Sequence, residues 1–273
     1  MKSRLLTASV LIIAVLWIIF AAPSIIFSIF LSVFIGLAAW EWAGLLPSVA
    51  HRCSPLQIHK FLFVLIIELA WIGSFFWPEI YHYLSYFTIG LFILLIPALL
   101  TYPRTSHRWH SLPTVLILGF SFLVAANVSC YFLKQLPQGE WWLLSVLLLT
   151  WAMDTGAYFA GRFWGKRKLI PQVSPNKTWA GFWGGFILSE LIVIYFGAQF
   201  AAAVVGWSHW IVIGTLAILG AVVGDLFISM LKRCVQVKDT GSLLPGHGGI
   251  LDRIDSLLVS MTIVAFFLNG SGG

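Results

Sequence analysis

Residues 224–256 read GDLFISMLKRCVQVKDTGSLLPGHGGILDRIDS, and the rest of the chain takes its meaning from them. The stretch holds Asp225, Asp239, Asp252 and Asp255, four of the chain's 10 acidic residues. Lys232, Arg233, Lys238, His247 and Arg253 lie among them. Apolar sequence closes in on both sides, from Trp210 to Val223 and from Leu257 to Leu268. Carboxylates beside hydrocarbon are costly, so they line a watered cavity, pair with a cation or hold a metal.

The flanks belong to a membrane protein. Of 273 residues, 60% are hydrophobic and only 10% charged, with a mean hydropathy of +0.94. A soluble domain carries about 25% charged residues. The net charge of +6 invites a nucleic-acid partner, but the cations sit between apolar runs, and membrane orientation explains them better. Cys53, Cys130 and Cys234 are far apart with no CxxC spacing, so they read as free thiols. His107 and His110 read as part of a solvated loop. The run from Leu5 to Ala22 exceeds a signal-peptide core and reads as a retained first helix; Gly270 to Gly273 reads as a flexible tail.

A spanning helix needs about 20 mostly apolar residues. The expectation is therefore an all-α, polytopic membrane protein of about nine spans, near 5–22, 24–46, 61–76, 84–100, 112–132, 141–160, 180–199, 207–231 and 250–268. Residues 1–140 read as scaffold and 141–273 as the site-bearing half. With a cytoplasmic amino terminus, alternation puts all 16 Lys and Arg on the cytoplasmic side except Lys134 and the in-helix Arg253, as the positive-inside rule requires. Glu41, Asp154, Asp225, Asp252 and Asp255 then share one depth, at the cytoplasmic edge, while Glu68 and Glu190 fall nearer mid-membrane.

Asp225, Ser229 and Lys232 are spaced i, i+4, i+7 and share a helix face. Asp252 and Asp255 are i, i+3, with Ser256 following. Such a face suits Mg²⁺, which takes one or two carboxylates plus water and phosphate oxygens; an internal ion-pair network is the alternative. Between these helices, Pro245-Gly-His-Gly-Gly presents backbone N–H groups just before a helix start, an anion site or a plain turn. A second basic element runs from Gly161 to Trp179. Its Arg162, Lys166, Lys168 and Lys177, with the hydroxyls of Ser174 and Thr178, could clamp a polyphosphate or meet anionic headgroups. No GxxxxGK[ST] loop is present, which disfavours a P-loop site.

Ser229-x-x-Lys-Arg, Lys238-Asp and Pro245-Gly-His-Gly-Gly-Ile-Leu-Asp-Arg-Ile-Asp together resemble the signature of the phosphatidate cytidylyltransferase (CDP-diacylglycerol synthase) family. Asp154-Thr-Gly-Ala-Tyr, Val173-Ser-Pro-Asn-Lys-Thr-Trp and Trp40-Glu-Trp resemble its other recurrent stretches. Ile228 and Ala180 depart from the pattern, where relatives often carry Glu, and Glu or Gln.

The resemblance implies transfer of a cytidylyl group from CTP to phosphatidic acid, at the cytoplasmic face of the cell inner membrane, by a nucleotidyltransferase of phospholipid biosynthesis. It implies Asp225 and Asp252 as the chief Mg²⁺ ligands, supplemented by Asp255 and Ser229, with room for a second metal or a monovalent cation. Lys232, Arg233, Lys166 and Lys177 would neutralise phosphates, with Ser174, Thr178 and Arg253 in the substrate site. His247, Gly248 and Gly249 would cradle a phosphate, and His247 as proton donor to pyrophosphate is a lesser role. Asp154 would be a further ligand or hold a loop lysine. The partners are CTP, phosphatidic acid and membrane lipid, with no nucleic acid and room for a homodimer. Alternatives are another CTP-using lipid enzyme, such as a polyprenol kinase, and an ion-coupled transporter.

Overall fold

The computed structural model describes residues 12–47, 57–243 and 248–270. Cys53 and His247 lie outside these residues, so the roles read for them have no structural counterpart here. Residues 12–20 are helical and stop before Pro23, which cannot donate to a helix ladder. Helix α1 (Ser24–Ala43) follows directly. Helices α2 (Ile58–Phe76) and α3 (Pro78–Thr101) are separated by Trp77 alone, because the residue before a proline is pushed out of the α region. Helix α4 (Leu112–Gln135) starts on Ser111, whose hydroxyl accepts from the Thr114 N–H. Then come α5 (Gly139–Trp164), α6 (Trp179–Phe196), α7 (Trp207–Cys234) and α8 (Leu251–Gly270).

Among the described residues, seven helices are long and apolar enough to cross a membrane: α1 to α5, α6 with its short continuation to Val205, and α7. The protein is thus an all-α, multi-pass membrane protein. The sequence expectation of about nine spans differs at its two ends. The first expected span is described only from residue 12. The last, α8, is a 20-residue helix with Asp252, Arg253 and Asp255 in its first turns, and it is not among the seven.

The faces of these helices divide cleanly. On α2, Phe61 is 66% exposed, an arrangement that suits lipid and not water. Helix α8 is the opposite, with Val259, Ser260, Val264 and Ala265 all buried. It packs against α7, α4, α5, α3 and α1, so the element with the acidic first turns is also the hub of the bundle.

One feature departs from a purely helical reading. The basic connection between α5 and α6 folds into an antiparallel ribbon of β1 (Lys168–Ile170) and β2 (Ser174–Thr178). Its turn closes by a Val173 N–H to Ile170 carbonyl bond of 3.2 Å. Thr178 ends the ribbon and caps α6, accepting from the Gly181 N–H at 3.1 Å.

Helices α7 and α8 approach so closely that a Cβ added at Gly224 would sit 2.5 Å from the Asp255 carbonyl oxygen and 2.6 Å from Val259 Cγ2. Backbone cannot yield there as a flexible side-chain tip would. Gly224→Leu is therefore expected to cost about 1–3 kcal/mol, read as a lower thermal midpoint in detergent. Gly90→Ala on α3, where a Cβ meets nothing within 4 Å, is expected to leave the midpoint unchanged or higher. Equal effects of the two would contradict this packing.

Candidate active site

The site begins with a seam of small residues. A Cβ at Gly156 on α5 would lie 2.6 Å from the Gly184 carbonyl oxygen of α6, and one at Gly184 would lie 2.2 Å from Ala160 Cβ. Small side chains let membrane helices approach to backbone contact. This seam sets the ribbon over the end of α5, and the close α7–α8 approach supplies the other wall.

Between the walls lies a cavity of about 240 Å³. Its polar lining includes Asp154 of α5, Asn176, Lys177 and Thr178 of the ribbon, Asp225 of α7 and Ser256 of α8. Met153, Ala157, Leu169, Phe182, Ala221 and Val222 add apolar surface, and Tyr158 and Gly181 complete the lining. Lys177 forms an ion pair with Asp225, and Ser229 Oγ donates to Asp225 Oδ1 at 3.4 Å. Asp255, buried just behind Ser256, accepts from the Ser256 N–H at 2.7 Å. The charges of Asp154 and Asp225 both act on Asp255, and Lys177 partly offsets them. Arg253 exerts a similar offset on Asp154. Three carboxylates therefore lie close together, with Lys177 and Arg253 as the nearby cations.

Asp252 has a different environment. Its Oδ1 accepts from Lys232 Nζ at 2.7 Å, and its Oδ2 from the N–H groups of Thr240 (2.8 Å) and Gly249 (3.1 Å). The i, i+3 pair read together from the sequence is thus divided. Asp252, in the first turn, reaches back to the loop in the manner of an N-terminal capping carboxylate. Asp255, a turn deeper, faces α7 and α5.

Glu41, near the end of α1, completes this arrangement. It is 3% exposed. It accepts from Ile250 N–H (3.1 Å), Leu251 N–H (2.8 Å) and Thr240 Oγ1 (3.0 Å). Gly241 and Gly249 leave room for it, since a Cβ on either would fall 2.3 or 2.4 Å from a Glu41 carboxylate oxygen. The loop's two feet, Thr240 and Gly249–Leu251, are thus held by two carboxylates. Of the stretch read as an anion cradle, the Gly249 N–H donates to Asp252, and residues 245–247 lie outside the described residues. Gly248 takes a left-handed φ of +83°, which glycine adopts without strain.

The remaining expected site residues disperse. Arg233 turns away from Lys232, its Nε donating to the Val173 carbonyl at 3.3 Å. Lys166 and Arg253 are exposed, and Ser174 opens β2, half-buried. Thr178 lines the cavity while serving as cap. Among the described residues, no three His, Cys, Asp or Glu side chains group closely enough to hold a metal alone. The carboxylate, hydroxyl and carboxamide oxygens around the cavity fit a hard cation completed by water and ligand oxygens.

Apolar spans around a carboxylate and lysine cavity define a membrane enzyme built to handle phosphorylated reactants. The family description "Cytidylyltransferase family" matches residues 2–270. A phosphatidate cytidylyltransferase of Pseudomonas aeruginosa is 34% identical over 272 residues, covering 100% of this chain and 98% of the relative. That of Haemophilus influenzae is 34% identical, with 98% of each chain covered. That of Bacillus subtilis is 35% identical over 215 residues, 74% of this chain and 77% of the relative. The chain belongs to the cytidylyltransferase family, and it is a nucleotidyltransferase.

Glu41→Gln would set an amide N–H₂ against N–H donors and leave one unsatisfied, at a cost of about 1–3 kcal/mol. The loop between Thr240 and Gly249 should then open more often, and trypsin should cut after the exposed Lys238 faster than in the wild type. An unchanged cleavage rate would contradict the clamp.

Proposed function

We propose that this chain transfers a cytidylyl group from CTP to phosphatidic acid, giving CDP-diacylglycerol and pyrophosphate. The observation that carries this is the mixed cavity, lined by Asp154, Asp225 and Lys177 together with apolar side chains. Apolar surface beside charged groups suits a phosphorylated lipid. At about 240 Å³ the cavity falls short of the roughly 300–1,000 Å³ of pockets that enclose a drug-sized ligand. It would therefore hold the reacting phosphates and leave nucleoside and acyl chains outside. The near full-length relatives carry the phosphatidate cytidylyltransferase name.

In this reaction the lipid phosphate oxygen attacks the α-phosphorus of CTP. One P–O bond forms, the bond to the β-phosphate oxygen breaks, and pyrophosphate leaves with the electron pair. The attacking oxygen is already anionic near neutral pH, so no general base is needed. Alignment and charge neutralisation remain as the protein's tasks. Lys177 is the cation inside the cavity, and its pairing with Asp225 keeps it there before a phosphate arrives. Lys166, exposed at the ribbon's entry, would draw a triphosphate toward it. Asp225, Asp255 and Asp154 would hold Mg²⁺, which when bound supplies positive charge to the phosphate oxygens. Asp252 and Glu41 keep the loop and the start of α8 in place, so that the turn carrying Asp255 and Ser256 stays beside the cavity.

The reading extends to placement. With the amino terminus inside and about nine crossings, the ribbon and the start of α8 face the cytoplasm of a bacterial inner membrane. CTP then enters from water, and lipid from the side.

Asp225→Asn and Asp255→Asn should each lower Mg²⁺-dependent release of pyrophosphate from CTP by at least about 100-fold, with the thermal midpoint retained. Purified protein, labelled CTP and phosphatidic acid make the assay, and CDP-diacylglycerol is the product to find. Near wild-type turnover in either variant would overturn the assignment, and CDP with a phospholipid as products would point to a kinase.

A further inference from the structure

The geometry points to a second phosphate-binding site, formed where the connection between α3 and α4 meets the last turn of α7. A cavity of about 250 Å³ there is lined by Tyr102, Ser106, His107, His110, Arg233 and Gln236, among others. It shares no lining residue with the carboxylate cavity.

Its chemistry is the reverse of that cavity's. No carboxylate lines it, and its fixed charge is the guanidinium of Arg233. Among the described residues the ion pairs are Lys177–Asp225 and Lys232–Asp252, so Arg233 has no anionic partner there. Its Nε is used by the Val173 carbonyl, while its two terminal nitrogens have no protein acceptor among the described residues. A free guanidinium fork matches the paired oxygens of a phosphate. The hydroxyls of Tyr102 and Ser106, the His107 imidazole and the Gln236 carboxamide supply further donors around it. Arg104 and Arg108 on the same connection add to the positive field.

The wall is also held in place. His110 Nε2 bonds the Leu45 carbonyl at 2.9 Å, which as a pure acceptor assigns the hydrogen to Nε2. Thr114 Oγ1 donates to the Arg108 carbonyl at 3.2 Å, and Thr101 and Thr105 hydroxyls bond each other at 2.7 Å. The cavity's size suits a phosphate or pyrophosphate group, with any larger part of the ligand left outside. Its ligand is a phosphate group, borne by a soluble anion or by a lipid headgroup. Through the Arg233–Val173 bond, an occupant would also steady the ribbon that carries Lys177.

The test uses the full-length protein in phosphatidylcholine nanodiscs, with the thermal midpoint followed by tryptophan fluorescence. Inorganic phosphate and pyrophosphate are titrated in one arm, and phosphatidic acid is built into the nanodisc in the other. At least one should raise the midpoint in the wild type and equally in Asp225→Asn, which separates this site from the catalytic reading. Arg233→Gln should weaken the effect about tenfold, and His107→Gln, at an exposed position, should weaken it severalfold. Protection by the inorganic anions supports the proposal with a soluble source, and protection only by phosphatidic acid supports it with a lipid source. Should Arg233→Gln fail to fold, Arg233→Lys and His107→Gln carry the same reading. No protection in either arm, or protection unchanged by His107→Gln and the Arg233 variant, would overturn it.

Discussion

A carboxylate buried among apolar helices is stable only where donors or cations meet it, and that constraint shapes the functional end of this bundle. Glu41 meets two backbone N–H groups and a hydroxyl. Asp252 meets a lysine and two N–H groups. Asp225 meets Lys177 and Ser229. Each acid thereby ties two or more elements together: α1 to α8, α7 to α8, and the ribbon to α7. The contacts that neutralise the acids are the same contacts that assemble the site.

The division of labour among these acids follows from how many donors each has. Asp252 and Glu41 each accept from three protein donors, which fits the fastening role proposed for them. Asp154, Asp225 and Asp255 lie near one another, with Lys177 and Arg253 as the nearby cations. Clustered carboxylates are unfavourable alone and become favourable when a cation and a phosphate arrive together. That is the electrostatic setting nucleotidyl transfer requires.

Much of this was legible in the chain. Apolar run lengths locate the helices, and Pro23, Trp77-Pro78 and Ser111 mark their breaks. The acids of 224–256 stand out because hydrocarbon flanks them. Other features leave no local trace. The contact of Glu41 with Leu251 spans 210 positions, and only its burial cost hinted at a partner. The ribbon is hidden because β1 is three residues long and β2 carries Pro175, both poor strand signals. Helical spacing placed Asp252 and Asp255 on one face, but the turn that separates them decides whether a carboxylate meets loop N–H groups or the neighbouring helix. The glycines before α8 read as an anion cradle, and nothing in their spacing reveals that the Gly249 N–H donates to Asp252.

The central claim is that the reacting phosphates and their cation meet at Asp154, Asp225 and Asp255, with Asp252 held apart as a fastener. An experimental structure of the full chain with CTP and Mn²⁺, located by anomalous scattering, tests it most directly. The account predicts the metal signal between Asp225 and Asp255, with Asp252 still on Lys232. A metal bound at Asp252, with Asp255 directed elsewhere, would contradict it.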